Sequence, residues 1–291
     1  MTIIDLIDHC AARLEANGLA FGHGTNNAFD EACWLVLWRL GLPLDDLDGV
    51  ATQVPSVQSQ GEVEALIELR INSRKPAAYL TQEAWLQGLP FYIDERSIVP
   101  RSLIAEVLAQ GLIDPWLRAD ASQALDLCTG NASLAVLLAK SYPQLMVDGS
   151  DISGDALEVA AINVRRHDLG SRVRLIECDG LPPEAMRPAQ GYDLIVCNPP
   201  YVNQDGMAGL PAEFKMEPAI ALAGGLDGMD FIRPLLACVA SAMAQDGLLI
   251  LEIGHERENF ERVFPRLSPL WLATSAGEDS VLMVEREALQ T

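Results

Sequence analysis

Basic residues are scarce in this chain. Twenty Lys and Arg stand against 41 Asp and Glu in 291 residues, for a formal net charge of −21. The deficit runs throughout: residues 1–75 hold 11 acids and 5 bases, and the remainder hold 30 and 15. A chain this acidic repels a phosphate backbone, which argues against direct, sequence-specific nucleic-acid binding. Either the charge suits a basic protein partner or it serves solubility alone. No apolar run approaches the ~18–20 residues of a membrane span, so no membrane association is expected. The first ten residues, MTIIDLIDHC, carry two Asp and no Lys or Arg. That is the wrong charge for a secretory signal or a transit peptide. The six cysteines (10, 33, 128, 178, 197 and 238) form no CxxC pair and no regular framework. Several lie in apolar runs such as LDLC and LIVC, as buried free thiols do. This usage fits a cytoplasmic protein with no structural metal, and excludes a disulfide scaffold. Internal repeats and low-complexity tracts are absent too.

What is present is a core: 49% of the residues are hydrophobic, enough to fold one large unit or two smaller ones. Residues 1–75 read as helices. Ile3, Ile4, Ile7, Ala11 and Leu14 share one helical face, and Gly18 supplies a stop. A second helix runs from about Ala28 to Leu40 and ends at Gly41-Leu42-Pro43. A third is expected to start at Ser59 and Glu62, which have capping-box spacing. No polar constellation here looks catalytic; a small helical domain for substrate recognition is expected.

Over 76–101 the chain changes character. Trp85-Leu86, Gln87-Gly88-Leu89-Pro90 and Phe91-Tyr92-Ile93 read as a β-hairpin linking that domain to the rest. From 102 to 291 strand and helix signals alternate. Strands are expected at Ala124–Cys128, Leu145–Ser150, Val173–Cys178, Tyr192–Cys197 and Leu248–Ile253. Helices are expected at Leu134–Lys140, from Ser153 to about His167, and over Phe231–Ala244. The alternation predicts an α/β fold, a mostly parallel sheet with helices on both faces. Leu270–Thr274 and Val281–Glu285 add a closing hairpin, which makes the last strand antiparallel.

Ligands of such sheets bind outside the carboxyl ends of the strands. After the first strand comes Asp126-Leu127-Cys128-Thr129-Gly130-Asn131-Ala132, where Gly130 lets the backbone approach a ligand. The turn is neither G-x-G-x-x-G nor a G-x-x-x-x-G-K-[ST] loop, so a dinucleotide or triphosphate is not indicated. Asp151 ends the second strand and Asp179 the third. They are placed to accept bonds from ribose hydroxyls and from an adenine amino group respectively. Each alone is equally a helix cap or a solvated acid; together, at successive strand ends, the acids suggest an adenosine site. After the fourth strand stands Asn198-Pro199-Pro200-Tyr201. The prolines stiffen the backbone and remove two donors. The Asn198 side-chain oxygen and the Pro199 carbonyl are then two acceptors for one planar –NH2, with an aromatic ring to stack on the flat substrate. The bland alternative is a proline-rich turn.

These residues together resemble the class I S-adenosylmethionine-dependent methyltransferases, whose Rossmann-like domain the 102–291 segment is expected to form. The NPPY tetrapeptide is similar to that of enzymes methylating planar amides or exocyclic amines. The whole layout resembles the protein glutamine methyltransferases, as does the downstream Glu217-Pro218, Ala221-Leu222 and Gly224-Gly225-Leu226-Asp227-Gly228. Ala78-Tyr79-Leu80-Thr81, Ala84-Trp85, Phe91 to Arg96, Val99 to Ser102 and Cys128 look like the branch acting on the third large-subunit ribosomal protein. Where that branch differs from the one acting on release factors, those residues follow the former.

The resemblance implies S-adenosyl-L-methionine as methyl donor, a basic ribosomal protein as partner and the side-chain amide nitrogen of a glutamine as acceptor. It implies a cofactor site of Asp126, Cys128, Thr129, Gly130, Asn131, Ala132, Asp151, Asp179 and Asn198. Pro100 and Arg101 are expected near its methionine end, and Asn198, Pro199, Pro200 and Tyr201 are implied at the reacting amide. The sequence departs from the family at Ala132, where a glycine is usual; a methyl group there costs roughly 1 kcal/mol if φ is positive. The competing readings are a release-factor methyltransferase, an adenine methyltransferase on nucleic acid, and a cofactor-binding assembly factor without catalysis.

Overall fold

A computed structural model of the chain describes residues 1–290. Helix α1 (Ile3–Ala16) opens on a capping box, Thr2 with Asp5, and buries Ile3, Leu6, Ile7, Cys10, Ala11 and Leu14. Ile4, expected on that stripe, is only half-buried. Helix α2 (Ala28–Leu40) is capped by Asn27 and ends at Gly41, whose φ of 66° is left-handed. After the single turn α3 (Leu47–Val50) comes α4 (Val57–Ser73). The third helix therefore begins earlier than the Ser59/Glu62 pattern suggests. Ser56 is the cap, its Oγ accepting from the Ser59 N–H at 3.0 Å, while Glu62 takes the Gln58 amide instead of reaching back to a cap. Helices α1, α2 and α4 enclose one apolar core. Arg70 of α4 is fully buried within this bundle, and its Nε donates to Glu31 of α2 at 2.8 Å.

A short helix α5 (Ala77–Thr81) leads into the hairpin β1 (Ala84–Leu86) and β2 (Leu89–Phe91). Its turn is tighter than expected. Gln87 and Gly88, with φ of 49° and 73°, make a two-residue connection, and Leu89 and Pro90 already belong to the second strand.

The remaining elements are α6 (Ile104–Ala109), β3 (Gln123–Leu127), α7 (Ser133–Ser141), β4 (Met146–Asp151), α8 (Gly154–Arg166), β5 (Val173–Glu177), β6 (Tyr192–Cys197), α9 (Gln204–Gly209), α10 (Ile232–Cys238), β7 (Met243–Glu252), α11 (Arg257–Val263), β8 (Leu270–Thr274) and β9 (Gly277–Glu285). Seven strands form one sheet in the order β5-β4-β3-β6-β7-β9-β8. Strands β3 to β7 are mutually parallel, and β9 is antiparallel to both its neighbours. Side chains alternate between two cores: Leu194 and Val196 face the α7 side, and Ile195 and Cys197 face the α10 side.

The α-helix expected over 231–244 stops at Cys238 and passes through a 3-10 turn, Val239–Ser241, because the sheet claims the residues after that. The Tyr192 N–H donates to the Ala242 carbonyl at 2.8 Å and Met243 pairs with Tyr192, so β7 starts five residues before the expected Leu248. Gly191 permits this approach, since a Cβ there would stand 2.5 Å from the Met243 carbonyl carbon. No helix among the described residues is long and apolar enough to cross a membrane.

Candidate active site

Strand order reverses between β3 and β6, and the loops leaving the carboxyl ends of β3, β4, β5 and β6 converge there on one cleft. Cys128 to Asn131, Asp151, Asp179, Asn198 and Pro200 line it, with Pro100 and Arg101 on the opposite wall. Most of the expected site residues are thus brought together, although four strands and three helices separate the first from the last in the chain.

The β3 turn is shaped by alternate residues in left-handed conformation: Cys128 at φ 61°, Gly130 at 54° and Ala132 at 63°. Each non-glycine residue so held costs on the order of 1 kcal/mol, and the surroundings must enforce it. Asp126 is part of that enforcement. It is fully buried behind the turn, and its Oδ2 accepts from the Thr129 hydroxyl at 2.5 Å and from the Ala135 N–H at 2.9 Å. Burial pushes its carboxyl up to about 7 against the opposing effect of those two hydrogen bonds. Asp126 does not line the cleft, so the expected direct cofactor contact is replaced by a role in holding the turn. Asn131 is likewise tied down: its Nδ2 donates to the Ile98 carbonyl at 2.8 Å and its Oδ1 accepts from the Ser133 N–H at 3.0 Å.

Ala132 takes the positive φ that makes its methyl costly, yet the methyl lies in the sheet core and not in the cleft wall. The departure from glycine strains the backbone without narrowing the site.

Asp151 does face the cleft. One carboxylate oxygen accepts from the Gly130 N–H at 2.8 Å and the other from the Ser153 N–H at 2.9 Å. Burial raises its pKa above the ordinary carboxylate value, despite those N–H donors. A carboxylate has about four acceptor sites, so two remain for hydroxyls of a ligand. Asp179, one strand further out, is exposed at the rim. Exposed Ile152 and Ile220 lie at the same rim. An apolar slot with one recessed and one rim carboxylate fits a nucleoside: flat base, ribose hydroxyls and exocyclic amine.

Beyond β6, no described residue hydrogen-bonds the Asn198 side chain, and that side chain borders the cleft beside Pro200. Pro199 is buried behind it. Tyr201 also stands behind the wall. Its hydroxyl donates to Glu252 Oε1 at 3.2 Å, and its ring packs on Gly254, where a Cβ would come within 2.4 Å of Cε2. Glu252 ends β7 and accepts in addition from the Ser102 hydroxyl at 2.5 Å and the Leu103 N–H at 2.9 Å. It thereby joins the NPPY loop to the start of α6. An acid closing the apolar run LLILE was the available signal for this residue, and sequence reasoning passed over it.

Arg101 is engaged by Glu217, 116 residues later, through a two-pronged pair at 2.6 and 2.7 Å. Glu217 is buried and also accepts from the Val99 N–H at 2.9 Å. His23 Nε2 lies 3.4 Å from its other oxygen. Burial alone would raise the Glu217 carboxyl, but His23 and the Arg101 guanidinium outweigh it and hold the group at about 2. Phe214 of the same loop packs at a tilt against His23, with ring centroids 4.1 Å apart, and the Arg101 guanidinium lies over the Phe214 ring, 5.5 Å from its centroid. Glu213 reaches Arg74 of the helical bundle at 3.1 Å. The loop after NPPY is therefore bolted to both walls of the cleft entrance. His23, a lone histidine between two glycines, carried little sequence signal.

The methyltransferase small domain profile matches residues 105–214. Over its full length the chain is 51% identical to the ribosomal protein uL3 glutamine methyltransferase of Bordetella pertussis, covering 97% of that protein. It is 46% identical to the protein of the same name in Burkholderia pseudomallei, with 99% of this chain and 95% of that one aligned. For the one in Neisseria meningitidis serogroup B the identity is 44%, over 99% of this chain and 94% of that one. Among solved structures, the hMettl16 catalytic domain in complex with the MAT2A 3'UTR hairpin 1 shares the fold. The TM-score is 0.53 and the identity 13%, with 82% of this chain and 83% of that one covered. Full-length identity at this level, over a sheet and a cleft of this form, places the chain in a family: it belongs to the ribosomal protein uL3 glutamine methyltransferases.

Proposed function

We propose that this chain transfers a methyl group from S-adenosyl-L-methionine to the side-chain amide nitrogen of a glutamine on ribosomal protein uL3, in the cytoplasm. The observation that carries the reading is the opening of Asn198, whose side chain has no hydrogen-bond partner among the described residues, into the same cleft as Asp151 and the Gly130 turn. When bound, the donor supplies an electrophilic methyl on a sulfonium. Cys128 to Asn131 would hold its amino-acid and ribose portions, Asp151 the ribose hydroxyls and Asp179 the adenine amino group, while Pro100 and Arg101 close the opposite wall.

An amide nitrogen is a poor nucleophile, because its lone pair is delocalised into the carbonyl. Among the described residues no strong base lines the cleft beside Asn198. The N–H proton that methylation displaces is strongly acidic once the nitrogen is alkylated and would pass to water, so the rate must come from positioning and from hydrogen bonding to the reacting amide. The Asn198 side-chain oxygen and the Pro199 carbonyl would each take one N–H of the glutamine. That fixes the nitrogen's direction and favours a partly pyramidal, more nucleophilic geometry. Pro200 withholds an N–H that would otherwise compete for those acceptors. Tyr201, pinned between Gly254 and Glu252, keeps the tetrapeptide rigid. We assign residues 1–75 to substrate recognition, 76–101 to the link and 102–291 to transfer. The formal charge of −21 suits a basic partner.

Mass spectrometry of ribosomal proteins from cells lacking this chain tests the reading. Loss of one methyl group from a glutamine of uL3, restored by the wild-type chain and not by Asn198→Ala, is expected. An unaltered uL3 would refute it.

A further inference from the structure

A second cleft, of about 610 Å3, lies outside the cofactor site, between α2, the α2–α3 loop and β1. Its walls include Phe29, Trp34 and Trp85, and it ends at Val99 and Pro100. Pro100 also lines the cofactor cleft, so the two clefts meet at one residue.

His23 is 2% exposed, its Nε2 lies 3.4 Å from Glu217, and neither ring nitrogen has a hydrogen-bond partner among the described residues. The Trp34 indole N–H is likewise buried without one. These atoms lie beneath the groove surface, so what the groove offers a ligand is its apolar lining and the charges at its rim. At the rim, Asp30 and Asp45 are exposed, and neither pairs with a cation among the described residues. Phe29 and Trp85 beside them are 39% and 48% exposed.

From this arrangement we infer that the groove binds an extended, basic segment of the protein substrate adjoining the acceptor glutamine. Its Lys or Arg side chains meet Asp30 and Asp45, and the glutamine passes over Pro100 toward Asn198. Trp85 and Phe29 cover the aliphatic stems of those basic side chains. Because the occupant is the protein substrate proposed above, the groove rests on that reading.

The test measures binding and turnover separately. Isothermal titration of free uL3 into wild type, into Asp30→Asn/Asp45→Asn and into Trp85→Ala gives Kd without requiring methyl transfer. The double variant should bind about tenfold more weakly, with KM raised in parallel, kcat kept and the salt dependence of binding flattened. Trp85→Ala should weaken binding with the salt dependence intact. Glu285→Gln/Glu287→Gln makes the same charge change far from the groove and should leave Kd unaltered. Equal Kd values for wild type and both groove variants would overturn the inference, as would an equal loss in the distant variant. If wild type binds uL3 through the groove but leaves its glutamines unmethylated, the proposed function fails and the groove stands.

Discussion

The two sides of the cleft are built on opposite plans. On the β3–β4 side the principal acids and the amide of the turn are already engaged. Asp126 holds Thr129 and Ala135, Asp151 holds Gly130 and Ser153, and Asn131 holds Ile98 and Ser133. On the β6 side Asn198 is left open, and the fixing is done from behind by Tyr201, Glu252 and Gly254. Under the function proposed above, the first side would grip the cofactor with preset backbone shape, and the second would keep its acceptors free for one amide and borrow rigidity from neighbours. The comparison breaks if a residue assigned to shape alters the chemical step, or if the open acceptor alters cofactor binding.

The largest effect should come from Asn198→Ala. Removing one of two acceptors from the reacting amide should lower kcat by about 10²–10³-fold. Titration with S-adenosyl-L-homocysteine should give an unchanged Kd. A cofactor affinity that falls with kcat would erase the division between the two sides.

Next is Glu217→Gln, which leaves Arg101 without its carboxylate. Loss of a buried, hydrogen-bonded pair should cost about 3 kcal/mol of stability near neutrality. Glu217 titrates at about 2, below its ordinary value of 4.5, so its stabilisation is present above that ordinary value and lost as pH falls through 2. The gap in Tm between variant and wild type should therefore narrow as pH drops below about 4.5. A constant gap would mean the carboxylate's charge is not what stabilises.

Asp126→Asn probes the opposite sign. Its carboxyl is held at about 7, above the ordinary 3.8, so its stabilisation is complete below 3.8 and is lost as pH rises through 7. An asparagine does not ionise. The variant should gain on the wild type between pH 5 and 8, by on the order of 2 kcal/mol. Chemical denaturation across that range checks the slope.

Ala132→Gly should do least. Relief of strain at φ 63° and loss of a buried methyl oppose each other, so stability should move by about 1 kcal/mol or less. Cofactor Kd should stay within about twofold, because the methyl lies outside the cleft wall. Markedly tighter binding in the glycine variant would show that this side of the cleft is not already in its final shape.

Much of the architecture was legible because it is local. Apolar periodicity marked α1, α2 and α8, and the run YDLIVC delimited β6 to the residue. The strand-end acids and NPPY were readable because an α/β sheet places its strand ends together whatever the loops do. Boundaries failed where a partner strand overrode a helical pattern, as at Met243, or where two plausible caps lay three residues apart, as at Ser56 and Ser59.

Sequence by itself thus determined the fold class and the strand ends that carry the Gly130 turn, Asp151 and the NPPY tetrapeptide, since each arises from residues near one another in the chain. Only the tertiary structure decided which of those residues face the cleft. Asp126 and Asp151 look alike as acids at strand ends, but one is turned inward to lock a strained turn and the other faces the cleft. Tertiary structure alone also joined His23, Arg101 and Glu217 into one clamp and left a groove beside it with aromatic and acidic residues at its rim. Pairings across 116 residues, such as Arg101 with Glu217, have no periodicity to betray them. They arise only when packing brings separate segments into the same low-dielectric space, where a buried charge has to find its partner.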